Sequence, residues 1–353
     1  MRHGYLWVLL VLLVACGAGN HHKAPPASVE ETAILLKYLE ENGNLVNSPY
    51  LPALINADVV YSNLHAANIH IIDLRPADQF ASGHIEHSVN VRPSGILDHF
   101  EHMIDPFGFD YIVLVCPNAM LSGYVNSILL MLGYRNVLTL RYGLSSWDRD
   151  IAEAHWLGAM DSSLEAKLET RAHQKNPAGE LPAIATGYSL GHQILRARAR
   201  EILQTTMDHV NVDKTDVLEH PERYYLVNYW PRDMYDNGHL PGAIQYTPKS
   251  SLHSSQYLHT LPAGQPIVLY CYTGHHSAYV TGFLRLLGYE VYNFPYGANA
   301  FIHHTMRTTQ SMLRTFTEEH VHGFPLTGKY PDAGTQAPGQ EDRPENTPVV
   351  GGC

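Results

Sequence analysis

Ile267-Val-Leu-Tyr-Cys-Tyr-Thr-Gly-His-His-Ser277 joins a short apolar run to a cysteine, a compact polar loop and the start of a helical pattern. A run of this length and composition, bounded by polar residues, reads as a buried strand. Residues 277–287 then carry apolar positions at helical spacing, and Gly288 stops them. Moving 155 residues toward the N-terminus finds the same arrangement: Ile112-Val-Leu-Val-Cys116, a helical pattern over 122–132, then Gly133. The offset holds without a gap from about residue 73 to 134, through Pro76/Pro231, Asp78/Asp233, Gly83-His84/Gly238-His239, Ser122/Ser277 and Leu132-Gly-Tyr134/Leu287-Gly-Tyr289. A constant offset over such a span means two copies of one domain. Further strands are expected at 69–74, 136–140, 225–228 and 291–294. Strands alternating with helices predict an α/β fold, each copy a mainly parallel sheet with helices on both faces.

Both repeat cysteines sit where a buried strand ends and a helix begins. Ligands bind at that edge of an open α/β sheet. Helix N-terminal amides and their dipole favour a thiolate there, and a short turn aims N–H groups inward as an anion nest. A nucleophilic sulfur in such a nest suits chemistry on sulfur or phosphorus oxyanions.

Asp73-Leu-Arg-Pro-Ala-Asp-Gln-Phe-Ala-Ser-Gly-His-Ile85, the strand to Cys116 and Gly143-Leu-Ser-Ser-Trp147 resemble the rhodanese (thiosulfate sulfurtransferase) domain. Trp230-Pro-Arg-Asp-Met-Tyr-Asp-Asn-Gly-His-Leu-Pro-Gly-Ala243, the Cys271 loop and Gly297-Ala-Asn-Ala-Phe301 repeat the resemblance. It covers about residues 50–155 and 190–305. It implies a persulfide on the loop cysteine, formed from thiosulfate or another sulfane-sulfur donor and discharged to a thiol or other thiophilic acceptor, with no cofactor. The six residues from Cys271 to His276 match the sulfurtransferase loop length. Phosphatase-like relatives have one residue more and a closing Arg, and this chain has neither.

The copies are unequal. Cys271 is the expected nucleophile, with Tyr272, Thr273, Gly274, His275, His276 and Ser277 as the loop that holds the persulfide. His275 and His276 stand where many rhodaneses carry Arg or Lys, and they are expected to orient an anionic donor, more strongly once protonated. Cys116 lacks a loop glycine, and Pro117 removes an amide donor, so it reads either as a second or degenerate site or as a small buried residue at a strand end. His84 and His239 are expected to support the fold rather than the chemistry. His21-His22, His303-His304, His320 and His322 have no cysteine or carboxylate to complete a metal set, so none is expected.

The ends are a different kind of sequence. Arg2 and the apolar run 5–14 read as a signal peptide over 1–15, and Leu13-Val-Ala-Cys16 resembles the lipobox of bacterial lipoproteins. That implies lipidation of Cys16 and a membrane-anchored chain facing the periplasm; Gly17, where inner-membrane lipoproteins often have Asp, leans toward the outer membrane. The expected order is a tether and helix over 16–48, domains at 49–155 and 190–310, a helical linker at 156–189, and an extension at 311–353 that is largely disordered after 325. Cys353 ends that extension, either a mobile thiol able to reach Cys271 or an ordinary tail thiol.

Hydrophobic residues make up 45% of the 353, enough for real cores and against wholesale disorder. A formal net charge of −11 argues against a nucleic-acid partner. Beside the sulfurtransferase stand two rivals: a non-enzymatic sulfur- or redox-sensing or protein-binding module, and a metal-handling envelope protein resting only on the 23 histidines.

Overall fold

The computed structural model describes residues 26–204, 207–308 and 314–329. The leader 1–15, Cys16, the chain after 329 and Cys353 lie outside the described residues.

Each copy forms one parallel sheet. In the first, β1 (Leu54–Ile55), β2 (Ile69–Asp73), β3 (Val89–Asn90), β4 (Tyr111–Val115) and β5 (Val137–Leu140) lie in the order β1-β5-β4-β2-β3. In the second, β6 (Tyr225–Asn228), β7 (Ile244–Gln245), β8 (Ile267–Tyr270) and β9 (Val291–Asn293) lie in the order β7-β6-β8-β9. Where β1 stands in the first sheet, the second has a single parallel bridge from Asn211 to Asn293. Leu114 pairs with Thr139 and Leu269 with Asn293, so the counterpart of Asn293 is Thr139. The central strands β4 and β8 are apolar because helices cover both faces of each sheet.

The helices that follow the cysteines, Met120–Met131 and His275–Leu286, are buried almost throughout. Such a helix has two faces to satisfy. One lies on its own sheet, and the other lies on the matching helix of the other copy. Gly282 permits the close approach: a Cβ there would lie 3.0 Å from Tyr124 O and collide with Ser127 Oγ. Tyr279 carries its hydroxyl across the seam, donating to Ala53 O at 2.7 Å and meeting Asn126 Nδ2 at 2.7 Å and Thr139 Oγ1 at 2.8 Å.

Two segments depart from expectation. The helix Val29–Glu41 forms, but where its place ahead of the first copy implies packing on that copy, it packs chiefly on Gly191–Ile202 at the start of the second, where Ile194 and Leu195 offer its Leu35–Leu36–Leu39 stripe an apolar face. Thr32 Oγ1 also donates to Pro182 O at 2.6 Å. The linker around 162–173 is extended, with one tight turn at Glu165–Lys167, not a helix. Leu164 and Leu168 pack on the second copy's core, and Glu169 and His239 exchange backbone hydrogen bonds of 3.0 Å in both directions. Those long-range bonds outweigh local helix propensity.

Residues 314–329 are also placed by distant contacts, while most of the stretch expected to be disordered after 325 lies outside the described residues. Residues 314–329 run back over the first copy: Phe324 N donates to Trp147 O at 2.8 Å, Trp147 Nε1 to Pro325 O at 2.9 Å, and Thr327 pairs with His84. Phe324 stacks flat on Tyr61 at 4.0 Å, Leu326 is buried, and Lys329 Nζ lies 2.8 Å from Asp150. Two apolar side chains and an ion pair anchor a stretch whose composition alone looks unstructured.

Candidate active site

Cys271 follows β8 directly at the C-terminal edge of its sheet, and only 1% of its surface is exposed. Gly274 turns the chain into the helix with φ +80, a conformation L side chains rarely adopt. A Cβ there would meet Tyr296 N at 3.0 Å and Met120 Cε at 3.2 Å, so the first copy's loop forms a wall of the second copy's site. Asn118 of that wall donates to Tyr296 Oη at 3.3 Å.

Ser277 Oγ lies 3.5 Å from Cys271 Sγ. The same hydroxyl meets Asn293 Oδ1, whose amide nitrogen donates to Asn211 Oδ1 at 2.9 Å. That last bond orients the Asn293 amide with its oxygen toward the serine. The six-residue loop is not wholly free to cradle an anion, because the His275 N–H already goes to Thr273 Oγ1 at 3.3 Å.

His275 and His276 differ from the cationic role expected of them. Both are buried, and burial pushes each down to about 3, with Arg141 adding to the effect on His275 and Lys249 and Arg314 on His276. His275 packs among Tyr142 and Trp156 at 5.2 and 5.5 Å between ring centroids, and His276 stands edge-on to Tyr229 at 5.0 Å. Burial disfavours the charged form of both, and His275 packs against first-copy rings at the seam.

The positive charge comes from elsewhere. Lys249, past β7, and Arg314, on the returning segment, both act on His276, and the Arg314 guanidinium lies 4.6 Å over the ring of Tyr272. Sequence reasoning missed both. Lys249 sits in a left-handed turn at φ +62 and Arg314 lies in a stretch read as extension, and neither carries a local signal. Asn299 ties the pieces together, donating to Tyr272 O at 2.8 Å and to Arg314 O at 3.1 Å.

Cys116 is fully buried. Its sulfur lies 3.3 Å from Ser122 Oγ and receives the Ser122 N–H at 3.5 Å. Among the described residues no asparagine backs the serine, since Thr139 turns to Asn126 and Tyr279 instead; the asparagine near this sulfur is Asn118, whose Oδ1 lies 3.8 Å from Sγ. A cleft of about 280 Å³ opens beside Pro117, lined by Arg75, Gln79, Ser82, His155 and Lys329. In the second copy Trp230 replaces Arg75 and stacks on Tyr272, the residue in Pro117's place, at 4.8 Å, filling the equivalent space. The histidines near the end of the described chain are structural: His303 Nε2 bonds Phe316 O at 2.8 Å, His320 caps a turn at Thr317, and His322 stacks on Phe324 at 4.9 Å.

The rhodanese-like domain family matches residues 56–150 and 201–304. A search of curated proteins finds no match. Among solved structures, the thiosulfate sulfurtransferase from Pseudomonas aeruginosa is 18% identical, over 72% of this chain and 45% of its own, with a TM-score of 0.29. The 3-mercaptopyruvate sulfotransferase SseA from Escherichia coli is 16% identical, over 69% of this chain and 99% of its own, with a TM-score of 0.25. A rhodanese-related protein from Thermoplasma volcanium is 22% identical, over 26% of this chain and 87% of its own, with a TM-score of 0.23. The family assignment rests on the double domain match rather than on these distant likenesses.

Proposed function

The chain belongs to the rhodanese-like family, with two copies of its domain, and from that premise we propose that it transfers sulfane sulfur through a persulfide on Cys271. The observation that carries the reading is the contrast between the two cysteines. Cys271 has a serine backed by an asparagine, and Lys249 and Arg314 acting on its loop; at Cys116 the asparagine contacts the sulfur itself and Thr139 stands in place of the one behind the serine.

The Cys271 thiolate attacks the outer sulfur of thiosulfate or a related donor. The donor S–S bond breaks, and its electron pair leaves with sulfite. Cys271 then holds a terminal sulfur anion, to which Ser277 donates while Lys249 and Arg314 favour the negative charge. A thiolate acceptor attacks that outer sulfur, the bond to Cys271 breaks, and the cysteine thiolate returns. No oxidant, reductant or cofactor enters the balance.

The near-complete burial of Cys271 favours a second reading, a sulfur- or redox-sensing module that is modified without turning over. Incubation with thiosulfate, then peptide mass analysis of the parent chain, Cys271→Ser and Cys116→Ser, separates the two. Sulfur gained at Cys271 and discharged by cyanide or a thiol supports transfer. Sulfur gained and never discharged supports sensing, and sulfur on Cys116 alone overturns both. We further read Cys16 as the lipidated residue of an envelope protein; detergent phase partition of the full chain against Cys16→Ser tests it.

A further inference from the structure

The Gly-His turns of the two copies serve as controls for each other. His84 Nδ1 lies 2.9 Å from Phe80 O, with the ring stacked on Phe80 at 3.9 Å. His239 Nδ1 lies 2.8 Å from Tyr235 O, with the ring stacked on Tyr235 at 3.5 Å. A carbonyl oxygen only accepts, so Nδ1 carries the hydrogen in both. A segment from outside the copy then pairs with each histidine's backbone, Thr327 with His84 and Glu169 with His239.

There the likeness ends. Beside His239 the incoming segment brings a carboxylate and a second imidazole. His173 Nε2 lies 2.7 Å from Glu169 Oε1, and His239 Nε2 lies 3.9 Å from the same oxygen. The three ligand atoms all lie within 4.8 Å of one another. His239 Nε2 also lies 3.1 Å from Arg171 O. With its one hydrogen on Nδ1, a neutral His239, fully buried, turns a lone pair toward two oxygens. That arrangement is repulsive until something positive stands between them.

We propose that Glu169, His173 and His239 bind one divalent transition-metal ion, zinc by preference, which staples the linker between the copies to the second copy. Two imidazoles and a carboxylate form a recurrent zinc donor set. In a tetrahedral site, donors at the usual zinc bond lengths stand about 3.3 Å apart. The two distances to Glu169 Oε1, 2.7 and 3.9 Å, bracket that spacing. The His239 bond to Tyr235 O is the outer contact that fixes a ligand's ring and tautomer. Gly242 N steadies the carboxylate at 2.6 Å. The side chains of Glu169 and His173 are 28% and 29% exposed, which gives an ion its way in.

The test is to strip the full-length protein with chelator, dialyse it against zinc and count bound metal. The parent chain is expected to hold one equivalent more than His173→Ala and Glu169→Gln, two variants at part-exposed positions. His87→Ala, in the exposed trio of His65, Glu86 and His87, is expected to match the parent. Zinc should also slow tryptic cleavage after Arg171 at least tenfold in the parent and not in His173→Ala. Equal zinc in parent and variants, or zinc that leaves cleavage unchanged, overturns the proposal.

Discussion

Ser277 Oγ and Cys271 Sγ stand 3.5 Å apart, and the serine's one hydrogen has two claimants, that sulfur and Asn293 Oδ1. Against a neutral thiol the serine serves the asparagine; against a sulfur anion it turns to sulfur. Ser277→Ala is therefore expected to slow single-turnover persulfide formation by about 10- to 100-fold, the loss expected for one hydrogen bond to a charged group. Asn293→Thr, which installs the first copy's residue, should alter the rate less. Rapid quench followed by peptide mass reads both, and an unchanged rate in Ser277→Ala removes the serine from the site.

Lys249 and Arg314 supply charge that the loop itself lacks. Lys249→Met and Arg314→Met should each raise the KM for thiosulfate and flatten its dependence on salt, with the melting temperature little changed. A KM that stays constant at all ionic strengths in both variants would place these cations outside the donor's path.

His275 and His276 lie at about 3 in the folded chain against 6.5 for a free imidazole, burial being the main cause. Below pH 6.5 the unfolded chain takes up protons that the folded chain refuses, so stability rises with pH and falls in acid. Each group costs roughly 1 kcal/mol per pH unit across that window. His70, pushed down to about 4 by burial and by His99, adds to it. His276→Leu should move the midpoint of acid unfolding, followed by circular dichroism, to lower pH. These two histidines should add no step near pH 6.5 to the persulfide rate profile.

Tyr279→Phe removes a hydroxyl on which Asn126, Thr139 and Ala53 O converge. The loss is expected to be about 1–3 kcal/mol in a urea melt, since the partners stay buried. Gly282→Ala should be worse, because Tyr124 O, 3.0 Å from the new carbon, is backbone and cannot rotate away. An alanine variant as stable as the parent would mean that the two helices can slide apart freely.

The strand, the cysteine and the helix after it were legible because local periodicity and a repeated register agree at residues 112–132 and 267–287. The state of His275 and His276 was not. A histidine pair at a helix start reads as a donor-orienting pair until the fold sets Tyr142, Trp156 and Tyr229 beside it and buries it. Lys249 and Arg314 were hidden for the same reason: each reaches the loop through tertiary contact, and neither lies on a periodic element. Segments 162–173 and 314–329 owe their shape to partners in the other half of the chain, which composition does not record.

Those two segments are also reciprocal. The stretch that leaves the first copy pairs with His239 of the second, and the stretch that leaves the second pairs with His84 of the first. Each half lends its trailing arm to the other, as two subunits do in an arm-exchanged dimer, and the covalent link between them is only one tie among several. Residues 176–180 of that link are exposed. Cutting after Glu180 should leave two fragments that still elute together, clasped at both ends, and separate only in denaturant.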